Sequence, residues 1–142
     1  MSTEKKNPIP QGKYVPATRS GNLIFTAGMT SRKNGVLQFT GKVKASEPLE
    51  TYREAVRIAA ANALTAAQNT LEEGEKIARV LSFWVFINAE QDFVSHAKLA
   101  DFASDYLNEE LGAAGAAARA AIGLGTLPGN APVEVQLICA AG

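Results

Sequence analysis

The run from Ile77 to Ala89 constrains the fold more than any other segment of the chain. Its aliphatic and aromatic residues read as one long strand, with Leu81, Phe83, Val85 and Ile87 on one face and Val80, Trp84 and Phe86 on the other. A strand that is apolar on both faces belongs inside a sheet, and each face needs a cover. Two helical stretches can supply one cover. The first runs from Ser46 to Glu73, with Pro48 in its first turn, Gly74 as its stop, and a stripe of Tyr52, Val56, Ala59, Ala60, Ala63, Leu64, Ala67 and Leu71 at spacings of three and four. The second runs from Asp92 or Ser95 to Leu111, turns Leu99, Phe102, Ala103, Tyr106 and Leu107 inward, and stops at Gly112. Two helices cover one face only. The other is expected to meet a second subunit, because a monomer rarely leaves a large apolar patch in water.

Further strands are expected at Tyr14 to Arg19 and Asn22 to Gly28 around a Ser20-Gly21 turn, with Leu23, Phe25 and Ala27 on one face. Another is expected at Val36 to Lys42 after an Asn34-Gly35 turn, and two more at Ala118 to Leu124 and Pro132 to Ala140. The order predicts an α/β (α+β) architecture, a mixed sheet with two helices on one face. Residues 1–12 hold Pro8, Pro10 and Gly12 among polar neighbours and read as a flexible arm, leaving 13–142 as a single domain.

Charge and composition remove several functions. Fourteen basic residues balance fourteen acidic ones, which gives no electrostatic footprint for nucleic acid. One His and one Cys cannot make a zinc site of three or four N/S ligands, and Cys139 cannot form an internal disulfide. Cys139 alternates with core valines and reads as a buried, inert thiol. The N-terminus lacks an apolar stretch of the secretory kind, and the greasiest window, Val80 to Ala89, is too short to span a bilayer, so a cytoplasmic address is expected.

Chemistry concentrates in the small-residue stretch Gly112 to Gly125, where Arg119 stands alone among glycine, alanine and a few aliphatics. Either glycine and alanine let a ligand approach while the guanidinium grips a carboxylate bidentately, or Arg119 is a surface residue in an alanine-rich segment. Glu134, opposite Val133 and Val135 in the last strand, either orders a water nucleophile or pairs with a cation such as Arg119. Tyr14 can stack, donate its hydroxyl, or simply pack. The Gly123 to Gly129 run lacks the lysine of a nucleotide loop and leads into a strand, so phosphate binding is not expected. His96 reads as a solvated residue on the polar side of the second helix, and the Glu72-Glu73 and Glu109-Glu110 pairs as solvated faces.

Three segments, Gly21-Asn22-Leu23-Ile24-Phe25-Thr26-Ala27-Gly28, Arg119-Ala120-Ala121-Ile122-Gly123, and Leu127-Pro128-Gly129-Asn130-Ala131-Pro132-Val133-Glu134-Val135, resemble the Rid/YjgF family of reactive intermediate deaminases, also labelled endoribonuclease L-PSP. The likeness runs from about Gly12 to Cys139. It implies a chorismate-mutase-like subunit that forms a homotrimer, with a ligand cleft at each subunit boundary. It also implies that Arg119 binds the carboxylate of a 2-imino acid, that Glu134 places the hydrolytic water, and that Tyr14, Asp101 and Gly123 line the pocket. Imine hydrolysis of this kind needs no cofactor, because the imine is already electrophilic and orientation beside a water suffices. The same cleft in a non-catalytic protein would bind a 2-oxo acid. Asp101 stands at the position of a frequent asparagine, and its charge in the cleft would oppose a carboxylate ligand. Ala27, Met29-Thr30-Ser31, Ala117 and Ala121 also depart from the common pattern.

Overall fold

In the computed structural model, which describes residues 5–142, the strands in chain order are β1 (Ala17–Ser20), β2 (Leu23–Thr26), β3 (Arg32–Lys33), β4 (Val36–Leu37), β5 (Ile77–Asn88), β6 (Ala118–Leu124) and β7 (Val133–Ala141). The helices are α1 (Arg53–Gln68) and α2 (His96–Leu111). Five strands form one sheet in the order β1-β2-β7-β5-β6, and β3 and β4 form a separate hairpin. Within the five-stranded sheet only the β5–β6 pairing is parallel; α2 makes the crossover that a parallel pair requires. This is the mixed sheet expected from the order of elements. Of the expected arm, residues 1–4 lie outside the described residues, and Asn69 Nδ2 donates to the Lys5 carbonyl at 2.7 Å and to Asn7 Oδ1 at 2.9 Å.

Helices α1 and α2 lie side by side on one face of the sheet, α1 over β7 and α2 over β5 and β6. The alanine stripe is the reason α1 sits so close: Ala55, Ala59, Ala60, Ala63, Ala66 and Ala67 are all buried. Across the seam Arg57 Nη2 donates to Glu109 Oε2 at 2.7 Å and its guanidinium lies 5.2 Å from the Tyr106 ring centroid, so Glu109 is an interhelical tie rather than a solvated face. The expected helix start at Ser46 is not found. A 3-10 turn at Leu49–Tyr52 precedes α1, because Pro48 is extended (φ −60°, ψ 144°) and makes a corner instead of a first helical turn. The helix also ends at Gln68, five residues before the expected end at Glu73.

The central strand departs from simple alternation. Register slips by one residue between Ile77 and Arg79 and again between Val80 and Ser82, two β-bulges. The second turns Val80 inward beside Phe83, Val85 and Ile87 and leaves Leu81 39% exposed, the reverse of strict alternation. The face without helices still carries Leu23, Phe25, Trp84, Phe86, Ile122 and Ile138, placed together by register. The expected Asn-Gly turn is present, with Asn34 at φ 53° and Gly35 at φ 79°, but the strand after it is only Val36–Leu37. Cys139 is fully buried and its thiol is pushed up to about 12 by that burial, as an inert core residue should be.

Arg19 on β1 meets Glu75 bidentately, at 2.6 and 2.7 Å, and the Glu72 amide donates to the same carboxylate at 2.8 Å. First the guanidinium and then this amide hold Glu75 down to about 2. A depressed carboxyl stabilises the fold above the unfolded value near 4.5 and loses that contribution as pH falls toward 2. Glu75→Gln is therefore expected to lower Tm at neutral pH and to flatten the loss of stability between pH 4.5 and 2, measured by thermal melts across that range. Gly115 is a second constraint, since a Cβ there would lie 2.3 Å from the Leu107 carbonyl oxygen. Gly115→Ala is expected to cost roughly 1–3 kcal/mol in urea denaturation, as overpacking against rigid backbone does.

Candidate functional site

Strand β6 is the sheet's edge and carries Arg119, Ala121 and Gly123 on the face turned toward α2. Arg119 Nη1 donates to Asp101 Oδ1 at 2.8 Å and to Ser104 Oγ at 2.9 Å, and Nη2 donates to the Ala97 carbonyl at 3.0 Å. Ala97, Asp101 and Ser104 follow one another at spacings of four and three, one line along α2. The guanidinium is 20% exposed and the Asp101 carboxylate 61%. A pair this open to solvent is worth about 0–1 kcal/mol, so it orients Arg119 without locking it. Arg119 is thus mostly covered rather than a free surface residue, and acceptors of its own chain already engage it.

Further along β6, His96 packs against Gly123. A Cβ at Gly123 would fall 2.5 Å from His96 Nε2, and the imidazole meets the Phe93 ring edge to face at 5.1 Å. His96 is thus half-buried over the strand rather than solvated. Lys42, Glu90 and His96 line a cavity of about 640 Å³ with Gly123 and Gly125. Lys42 Nζ donates to Asn88 Oδ1 at 2.9 Å and to the Gly125 carbonyl. Asn88 in turn donates to Asn130 Oδ1 and the Ala131 carbonyl, both at 3.1 Å. The Gly129-Asn130 turn, with φ 65° and 60°, is thereby pinned beneath the end of β5. The Leu-Pro-Gly-Asn run holds the start of β7 and makes no phosphate loop.

Glu134 lies on the other face. It pairs in register with Phe86, whereas Arg119 pairs with Phe83 on the helix side. Two strand spacings of about 4.8 Å each and the thickness of the sheet separate the two side chains, so one chain does not bring Arg119 and Glu134 together. The Glu134 carboxylate rests over Gly28, where a Cβ would stand 2.2 Å from Oε2. The ladder between β2 and β7 makes room for it: Thr26 Oγ1 accepts from the Leu137 amide at 3.0 Å in place of a backbone carbonyl, and pairing resumes at Met29 with Val135. Burial pushes the Glu134 carboxyl above its usual range.

Tyr14 is 44% exposed and its hydroxyl accepts from the Gln11 amide at 2.9 Å. It lines a second cavity of about 410 Å³ that reaches Gly28, Thr30, Arg32 and Asn62. Tyr14 and Gly28 therefore border the Glu134 side, while Asp101 and Gly123 border the Arg119 side. Reading the sequence alone passed over Ser104 and Ala97, although their helical spacing with Asp101 was there to be used.

The model of the YjgF/chorismate mutase-like family, labelled for endoribonucleases, matches residues 7–140. The chain belongs to this family. Among solved structures it is similar to the protein Atu1372 of Agrobacterium tumefaciens, a protein of unknown function, with 31% identity, a TM-score of 0.85, and coverage of 97% of this chain and 87% of that one. The YjgF gene product of E. coli shares the fold, with a TM-score of 0.68 at 17% identity over 99% and 98% of the two chains. A curated relative, Protein TCP17 of Trypanosoma cruzi, is 28% identical over 130 residues, 91% of this chain and 81% of its own length. Among the described residues no helix is long and apolar enough to cross a membrane.

A carboxyl raised by burial destabilises the fold once it ionises, so the penalty is absent below the unfolded value and complete above the raised one. Glu134→Gln is expected to raise Tm at pH 7 and to leave it unchanged at pH 3.5, compared by calorimetry.

Proposed function

We propose that the chain is a hydrolase of small imino or enamine acids, working as a homotrimer whose clefts lie between subunits. The observation that carries this reading is the division of the candidate groups: a guanidinium with small neighbours on the β6 edge, and a desolvated carboxylate beside Gly28 on the helix-free face. Each is half of a site. The helix-free face is apolar enough to favour association, with Leu23, Phe25, Leu81, Ile122 and Leu124 each 37–44% exposed. Cyclic association of three copies, with the β6 edge of one against the helix-free face of the next, brings Arg119 of one subunit toward Glu134 and Tyr14 of its neighbour.

In that cleft Arg119 takes the ligand carboxylate and Glu134 accepts a proton from a water as its oxygen attacks the imine carbon. Glu134 passes that proton to the nitrogen, giving a carbinolamine. The carbinolamine hydroxyl proton then moves to the nitrogen as the C=O bond forms and the C–N bond breaks, so that a 2-oxo acid and ammonia leave. Burial suits Glu134 to this role, because a carboxylate with a raised proton affinity is a better base. Neutral net charge and the apolar face give no support to RNA as the substrate, despite the family label.

Purified protein is expected to elute at three times the chain mass and to accelerate ammonia release from freshly generated imino acids. Arg119→Ala and Glu134→Gln should each lower the rate at least about tenfold, the loss of one charge-assisted contact. Mixing the two variants as co-expressed chains should restore about a quarter of wild-type activity, since random trimers rebuild one site in four. Absence of recovery overturns a site shared between Arg119 of one subunit and Glu134 of the next. Binding of a 2-oxo acid without turnover replaces the hydrolase with a metabolite-binding protein, and a salt-sensitive RNA affinity replaces both.

A further inference from the structure

We infer that Asp101 makes the Arg119 cleft selective for small zwitterions, ligands that present a protonated nitrogen close to their carboxylate, over plain 2-oxo acids. This inference rests on the reading of Arg119 as the carboxylate anchor and adds the class of ligand that the anchor accepts.

A lone guanidinium on a glycine- and alanine-lined strand would hold any small anion. Here it is one half of an ion pair, Nη1 to Asp101 Oδ1 at 2.8 Å, and the pair as a unit carries no net charge. A simple carboxylate entering beside Arg119 therefore gains little attraction and meets the Asp101 charge at close range. A zwitterion faces the opposite situation. Its carboxylate lies against Arg119 and its protonated nitrogen against Asp101, so two dipolar pairs align head to tail and both charges of each are answered.

The hydrogen-bonding capacity of the pair permits this arrangement. A guanidinium has five N–H donors, and Asp101, Ser104 and the Ala97 carbonyl take three of them, leaving Nε and one Nη2 hydrogen free among the described residues. Asp101 Oδ2 likewise carries no bond among the described residues, and that side chain is 61% exposed. Ser104 and the Ala97 carbonyl fix the guanidinium from the helix side without adding charge, and Asp101 supplies the negative charge bonded to it. An iminium acid, the protonated form of the proposed substrate, is itself such a zwitterion.

Equilibrium binding of L-alanine and of pyruvate, followed by NMR titration of the full chain, tests the inference, because the two differ in the protonated nitrogen and neither is an imine to be hydrolysed. Wild type is expected to bind alanine at least about tenfold more tightly than pyruvate, the worth of a charge-assisted hydrogen bond. Asp101→Asn, which keeps shape and exposure, should bring the two within about threefold by strengthening pyruvate and weakening alanine. Asp101→Ser should do the same, which guards against an idiosyncratic effect of the amide. If both variants keep the wild-type preference while Arg119→Ala weakens both ligands, the anchor stands and the role of Asp101 is overturned. If Arg119→Ala changes neither affinity, or wild type binds neither ligand, the anchor itself falls and the inference with it.

Discussion

Register within the sheet governs everything proposed for this chain. Because β5 pairs Phe83 with Arg119 on one side and Phe86 with Glu134 on the other, the cation and the acid emerge on opposite faces of one layer. A slip of one residue in either pairing would put them on the same face. The two bulges in β5 lie before Ser82, and the pairing from Ser82 onward is regular, so the irregularity is spent where it reshapes the core and not where it would disturb the site.

One chain of packing contacts runs from the core to Arg119. Alanines draw α1 onto β7, and Arg57 with Glu109 then ties α1 to α2. That tie fixes the helix which supplies Asp101, Ser104 and the Ala97 carbonyl to Arg119. Gly115 belongs to the same chain of support. Part of the glycine content that looks like ligand access in the sequence is there to let the chain fold back on the Leu107 carbonyl.

Much of this was legible before any coordinates. The two-sided apolar strand, the alanine stripe, the Asn34-Gly35 turn and the Gly112 stop all act locally, through periodicity or through a backbone conformation that few residues adopt. Non-local events were not legible. Val80 and Leu81 exchange faces because of a bulge that depends on the partner strand β7, and no alternation rule sees that. Pro48 marked a helix start in the sequence but makes a corner in the fold, its backbone extended ahead of the 3-10 turn. Arg119 and Glu134 could each be singled out by type and neighbours. Their separation could not, because it depends on which strand lies between them. His96 was misjudged for the same reason: its neighbour Gly123 is remote in sequence and meets it only through the crossover.

The contact between Gly28 and Glu134 binds two distant positions into one. The space that a methyl group would need on β2's exit is already held by a carboxylate from β7, so the smallest enlargement at the first position evicts the acid from its seat. Descendants of this chain that gain any side chain at 28 must shorten 134 or turn it outward, and either way give up the acid where it now stands. The two sites are free to drift only in step.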